Sequence, residues 1–320
     1  MSNEMESIWR TTDFRALGLS PLSGLYALGW WCYQGTYALG LQRAYKAKIP
    51  VITVGNLVVG GSGKTPLAQH IAAILASAGK KVVLGMSGYG SPRAKSASLA
   101  PGGELDPWEW GDEPAMVRTE VPELTLIVGR DRVAAAKIAE EKFAHAVLVM
   151  DDGFQHLRLR QDIALVFDEP RANMFCLPAG PYREPRRTGR SRARTVIPND
   201  MFRVQVSNIS LEQVHGPTTK PCEVDLVCAV ARPERVVSTL SQLGHKVVSQ
   251  ICLPDHDQMR AKGLLDGIGH ARPLVMTRKD WVKVRLRQDL GDKAIFLATR
   301  DLVIEPKQEF TKWLTEAIGV

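Results

Sequence analysis

The stretch Gly60-Gly61-Ser62-Gly63-Lys64-Thr65-Pro66 constrains this chain more than any other. It follows a β-rich run, Ile49–Val54, and opens a helical pattern, Pro66–Ala78, that stops at Gly79. Glycines let backbone N–H groups approach phosphate oxygens closely, and the helix N-terminus adds a favourable dipole. In such a loop Lys64 reaches the β- and γ-phosphates, and the Thr65 hydroxyl ligates Mg²⁺. Pro66 costs nothing there, because its missing N–H would be unpaired anyway. Gly60, Gly61, Ser62, Gly63, Lys64 and Thr65 are therefore the nucleotide-binding candidates, with ATP and Mg²⁺ as cofactors. The strict pattern wants glycine at position 58, where Val58 stands, so a plain glycine-rich turn is the competing reading.

Around this loop, short apolar runs alternate with helical patterns, as in parallel α/β folds. Strands are expected at Lys81–Gly85, Leu124–Val128, Ala146–Met150 and Ile163–Phe167, and a helix at Asp131–Lys142. Residues 91–111, rich in Gly, Pro, Ser and Trp, read as a loop. A second α/β stretch begins near Lys220. Its expected elements are strands Val224–Val230, Lys246–Cys252 and Pro273–Thr277 and helices Pro233–Leu243, Met259–Ile268 and Thr311–Ile318. Phe202–Val206 is a further strand candidate. The expected fold class is α/β: a P-loop NTPase-like parallel sheet flanked by helices, a second smaller α/β domain, and an N-terminal membrane-anchoring helix. The corresponding segments are 1–45, 46–200 and 201–320.

A phosphate loop needs acid near its metal, usually at the end of a buried strand. Asp151 and Asp152 follow the apolar run Val147–Met150 and suit Mg²⁺ held directly or through water. Asp112 and Glu113, in Gly111–Pro114, form a second acidic pair that helix capping alone would also explain. His156 and His256 are the histidines nearest to acidic or turn residues.

Ahead of the loop, Ala16–Gln42 holds 27 residues without a charge, between Arg10 and Arg15 on one side and Arg43, Lys46 and Lys48 on the other. The length exceeds the roughly 20 residues a bilayer span needs. Glycines, Pro21 and polar residues dilute it, while Trp30, Trp31, Tyr26, Tyr33 and Tyr37 prefer a membrane interface. A signal peptide is disfavoured, because an ATP-type site follows and exported compartments lack ATP. A buried helix and a membrane anchor, spanning or interfacial, both stay open at this point.

Lys and Arg exceed Asp and Glu by seven, which suits anionic partners. Six arginines and one acid, Glu184, fall between Arg183 and Arg194, matching anionic head groups or a substrate phosphate. No nucleic-acid module is recognisable. Five cysteines without a CxxC pair argue against a disulfide framework or zinc ribbon and suit a reducing compartment.

Taken together the motifs resemble the tetraacyldisaccharide 4′-kinase family of the lipid A pathway. The matching text is VGNLVVGGSGKTP (Val54–Pro66), GDEP (Gly111–Pro114), GRDRVAAA (Gly129–Ala136), DDGFQHLRLRQDIALVFD (Asp151–Asp168), LPAGPYREP (Leu177–Pro185) and PDHDQM (Pro254–Met259), in family order. The lack of glycine at Val58 is itself a family trait. The resemblance implies ATP-dependent phosphorylation of the 4′-hydroxyl of a tetraacylated disaccharide 1-phosphate, giving lipid IV-A. It implies an inner-membrane enzyme working at the cytoplasmic face of a Gram-negative bacterium, and it favours the anchor reading of Ala16–Gln42. The partners it implies are the lipid disaccharide and the membrane surface, with no nucleic acid and no obligate protein.

The resemblance also assigns roles by motif. Asp112 would be the general base, with His256 paired to it; Lys64 would stabilise the transferring phosphoryl group. Thr65, Glu113, Asp151 and Asp152 would organise Mg²⁺. Arg183 and Glu184 would line the site, supported by Arg130, Gln155 and His156. Two positions depart from the family text: Ser87 stands for an arginine in Met86–Gly90, and Arg278 for a glutamate in Thr277–Asp280. The readings that compete with this one are a P-loop kinase of another small molecule, a P-loop ATPase switch and a catalytically retired relative.

Overall fold

The computed structural model describes residues 3–60, 63–169, 171–261, 263–265 and 272–319, with 3–6 described by backbone alone. In chain order the strands are β1 Val51–Asn56, β2 Val82–Met86, β3 Ser98–Leu99, β4 Thr125–Val128, β5 Val147–Asp151 and β6 Ile163–Phe167. They continue with β7 Thr195–Ile197, β8 Arg203–His215, β9 Glu223–Cys228, β10 Lys246–Cys252, β11 Leu274–Met276 and β12 Ile295–Glu305. The fold is mixed α/β, with parallel strands flanked by helices.

By contacts the chain separates into two compact units, and each draws on several stretches of sequence. Unit 1 comprises Met1–Gly85, Arg132–Val204 and Ile304–Val320; unit 2 comprises Met86–Asp131 and Gln205–Val303.

In unit 1 the strands run in the order β2-β5-β1-β6-β7, and every pairing in that run is parallel. β1, β2, β5 and β6 are buried throughout, which is why they read as largely apolar text rather than alternation. Helix Lys64–Ser77 follows β1 and buries Leu67, Ile71 and Leu75. Val58 is buried in a cluster with Leu57, Phe154 and Tyr182, so a packed side chain occupies the position where a strict phosphate loop has glycine.

Helix Phe14–Ala38 covers most of the uncharged run. Asp13 caps it by accepting the N–H groups of Arg15 and Ala16 at 3.0 Å. Its faces differ sharply. Ala16 and Ser23 are buried, whereas Phe14, Leu17, Leu22, Leu25, Leu28 and Trp31 are all more than half exposed. Among the described residues no helix is long and apolar enough to cross a membrane. That counts against the spanning form of the anchor.

Unit 2 contains the antiparallel pair β3–β4 and most of a five-stranded sheet ordered β10-β9-β11-β12-β8. β9 pairs parallel with β10 and β11, and β11 with β12. Its cores gather Val224, Leu226, Cys228, Leu240 and Val275 on one side and Val227, Met259, Leu274 and Leu297 on another.

Several sequence expectations change. The loop 91–111 contains a 3₁₀ turn at Pro92–Lys95, strand β3 and a helical turn at Pro107–Trp110 capped by Asp106. The strand expected at Phe202–Val206 is the start of β8, which runs on to His215. The helix expected at Met259–Ile268 is absent from its described part. Met259 and Gly263 take positive φ angles of 53° and 73°, which a right-handed helix cannot contain, and residues 266–268 lie outside the described residues. The apolar spacing there serves the core, since Met259 and Leu265 are buried. All five cysteines are unbridged.

Candidate active site

Two clusters of charged side chains stand out, one in each unit. In unit 1, Gly63 adopts a left-handed φ of 77° and helix Lys64–Ser77 starts at the next residue. Glycine bears that turn without a Cβ penalty. Thr65 Oγ1 donates to Asp151 Oδ2 at 2.6 Å, joining the helix start to the C-terminal end of β5. Asp152, one residue on, has a positive φ of 53°. Its Oδ1 lies 2.8 Å from Arg183 Nη1 and 3.6 Å from Lys64 Nζ. Burial pushes the Asp152 carboxyl upward, but Lys64 and Arg183 outweigh it and hold it below the ordinary carboxylate value. Arg132 supports the same turn from behind: its Nη2 donates to the Asp151 carbonyl at 2.6 Å.

Beside this cluster, Glu184 is fully buried. Arg192 Nη2 donates to its two carboxylate oxygens at 2.8 and 2.6 Å, Gln155 Nε2 at 3.1 Å and Gln34 Nε2 at 3.0 Å. A buried carboxylate satisfied on both oxygens is an architectural anchor.

In unit 2, Asp112 opens helix Asp112–Glu120 after Gly111, whose φ is 96°. Gly111 packs against Gly88, where an added Cβ would come within 3.1 Å of the Gly88 Cα. Asp112 is 7% exposed. His256 Nδ1 lies 3.1 Å from its Oδ2, Lys283 Nζ 3.6 Å and Lys279 Nζ 3.8 Å. Burial alone would raise the Asp112 carboxyl; the His256 hydrogen bond and the two lysines reverse this and hold it at about 2. For His256, burial works downward and the hydrogen bond to Asp112 prevails, leaving it raised. Lys279 also reaches His256 Nε2 at 3.2 Å and Asp255 at 3.0 Å. The Tyr89 ring lies 4.9 Å from the His256 ring, and Arg130 sits over Tyr89 at 5.1 Å. Tyr89, Pro107, Asp112, His256, Gln258 and Lys283 line a small cavity.

The match to known proteins spans nearly the whole chain. The family model described as tetraacyldisaccharide-1-P 4′-kinase matches residues 15–319. The chain belongs to this family. It is 33% identical over 301 residues to the tetraacyldisaccharide 4′-kinase of Shewanella pealeana, covering 89% of each protein. It is 35% identical over 303 residues to that of Alkalilimnicola ehrlichii, covering 88% of each. The fold resembles the crystal structure of LpxK from Aquifex aeolicus in complex with ATP, with a TM-score of 0.75 at 23% identity, over 95% of this chain and 99% of that one.

Within this member of the tetraacyldisaccharide-1-P 4′-kinase family, the motif residues fall as follows. Lys64, Thr65, Asp151, Asp152 and Arg183 come together in unit 1, with Gln155 and Glu184 adjacent. Gly60 has a φ of 106°; Gly61 and Ser62 lie outside the described residues. Asp112 and His256 come together in unit 2. Glu113 belongs to that cluster, with Lys279 3.8 Å away, and Arg130 reaches it through Tyr89. His156 is exposed, on the turn after Asp152. Sequence reasoning missed Lys279, Lys283 and Arg132. A usable signal existed for the first two: Lys279 sits in the Thr277–Asp280 motif, and Lys283 follows one helical turn later.

Proposed function

We propose that this chain is an ATP-dependent kinase that phosphorylates the 4′-hydroxyl of a tetraacyldisaccharide 1-phosphate. The observation that carries the reading is the chain-long family match, joined to a glycine turn that feeds Lys64 and Thr65 onto Asp151 and Asp152.

Each cluster supplies one part of phosphoryl transfer. Lys64 and Arg183 present positive charge to the transferring phosphoryl group, whose loose transition state is stabilised mainly by position and charge. The N–H groups at the start of helix Lys64–Ser77 face the phosphates. Asp112 orients the acceptor hydroxyl. Held at about 2, it stays ionised at neutral pH and takes the proton late, as the new P–O bond makes the hydroxyl acidic. His256 fixes the Asp112 carboxylate and shares its proton load.

Thr65 and Asp151 fit Mg²⁺ by donor chemistry, since a hydroxyl and a carboxylate oxygen 2.6 Å apart are hard ligands. Among the described residues no group of three or more His, Cys, Asp or Glu could hold a metal ion. When bound, the ion would supply positive charge that offsets the negative charge of the phosphates. Asp152, beside Thr65 and Asp151 in unit 1, is the further acid we assign to it.

Helix Phe14–Ala38 is proposed to lie in the membrane interface at the cytoplasmic face. Its exposed leucines, Phe14 and Trp31 suit lipid, Arg15 sits in its first turn, and Arg10, Arg43, Lys46 and Lys48 flank it. The test of the function is transfer of radiolabelled phosphate from ATP to tetraacyldisaccharide 1-phosphate in detergent. Labelled product is expected. Folded protein that makes none, while a known kinase works in parallel, overturns the reading.

A further inference from the structure

Helix Phe14–Ala38 does more than present an apolar face. Tyr26, Trp30 and Gln34 stand four residues apart, so they share one side of the helix, opposite the exposed Phe14, Leu25 and Leu28. Each makes a specific polar contact. Tyr26 Oη donates to the backbone carbonyl of Arg183 at 2.7 Å. Trp30 Nε1 donates to Tyr26 Oη at 3.1 Å, which fixes the direction of the phenol proton. Gln34 Nε2 donates to Glu184 Oε2 at 3.0 Å. Two consecutive residues of the LPAGPYREP motif are thus held from one helix face.

The hold continues to the phosphate cluster. Leu57 accepts the Arg183 N–H at 2.8 Å, so both sides of the Arg183 backbone are tied. From that fixed backbone Arg183 reaches Asp152, which also faces Lys64. Glu184 is clamped by Arg192 and by Gln155, whose amide also donates to the Asn56 carbonyl at 2.9 Å. Asn56 ends β1, the strand that leads into the Gly60–Thr65 segment.

We propose that Tyr26 and Gln34 are positioning residues for phosphoryl transfer: they set the Arg183 guanidinium against Asp152 and Lys64 from the lipid-facing helix. The inference rests on the kinase reading above and extends it to a helix that lies outside all the matching motifs. Misplacing a charge by about 1 Å from outside the reacting centre costs turnover on the order of a hundredfold. A helix that only packs would need shape at these positions, not a donor.

The experiment separates donor from shape. Gln34→Met keeps the length and removes the amide; Gln34→Lys restores a donor to Glu184; Tyr26→Phe keeps the ring and removes the hydroxyl. Steady-state kinetics on detergent-dispersed acceptor are run with thermal melts. The expected result is a five- to twentyfold fall in kcat for Gln34→Met and Tyr26→Phe, with KM for ATP within twofold of wild type. Gln34→Lys should recover most of the loss. Unchanged kcat in both donor-less variants overturns the proposal, as does a loss that follows the melting temperature and ignores the lysine. Basal ATP hydrolysis is measured on the same proteins. A wild-type chain that hydrolyses ATP without phosphorylating the lipid would sink the kinase reading, while the variant comparison on hydrolysis would still decide the role of Tyr26 and Gln34.

Discussion

Nδ1 of His256 lies 3.1 Å from Oδ2 of Asp112, although 144 residues separate the two in sequence. His256 holds a positive φ of 64°, a conformation the chain does not adopt without compensation. The pair makes Asp112 the residue to change first. Asp112→Asn should lower kcat by about 10²–10⁴ and leave ATP affinity within threefold. Equal loss of turnover and of nucleotide binding, measured by calorimetry, would refute the base assignment.

Lys279 lowers Asp112 and also works against protonation of His256. Removing its charge must therefore raise both groups. The acid limb of the kcat–pH profile of Lys279→Met should move to higher pH than in wild type. A profile that stays in place, or moves down, would show that Lys279 does not act on the pair.

Asp112 also links pH to stability. Its carboxyl drops from 3.8 in the unfolded chain to about 2 in the fold, so its contribution is present above pH 3.8 and lost as pH falls through about 2. The gain is roughly 2 kcal/mol at neutral pH. Urea midpoints of wild type and Asp112→Asn should differ most at pH 7, and the difference should shrink as pH falls from about 4 through about 2. His256 has the opposite sign: its raised value stabilises the fold below 6.5, and that contribution fades as pH rises through the folded value.

Thr65→Val and Asp151→Asn should each raise the Mg²⁺ concentration needed for half-maximal turnover by roughly tenfold or more, since each deletes one member of the hydroxyl–carboxylate pair. Titration of Mg²⁺ at saturating ATP checks this. Identical titration curves would remove both residues from the ion.

Gly129 tests the fold rather than the chemistry. At φ 153° a Cβ there would fall 1.6 Å from the Ser96 carbonyl oxygen. Gly129→Ala should destabilise the protein by about 3 kcal/mol or more, read as a lowered denaturant midpoint. This explains the glycine that opens the GRDRVAAA motif without any appeal to substrate.

Much of this was legible in the chain. The Gly60–Thr65 segment announced itself because glycine, lysine and threonine stand between a strand pattern and a helix pattern, and both patterns are real. Asp112 and His256 met only through the family resemblance, because nothing local links residues 144 apart. Lys283 escaped because a lysine on a helix ordinarily reads as solvated; here it is 2% exposed and donates to the Asp257 carbonyl at 2.8 Å. Met259–Ile268 misled because buried apolar residues at helical spacing are also produced by a turn that folds over a core. The grouping of Met86–Asp131 with Gln205–Val303 is carried by tertiary contacts that linear order does not encode.

The interleaving of the two units bears on synthesis. Phe310 and Leu314 are fully buried in unit 1, with the Phe310 ring 5.2 Å from Phe202. A ribosome makes Lys64, Thr65 and Asp151 early, yet the stretch from Ile304 that groups with them follows the whole of Gln205–Val303. Unit 1 therefore cannot finish packing on a nascent chain before the Gln205–Val303 stretch has been translated. A premature stop in the last segment would leave Phe202 without the Phe310 ring that packs against it.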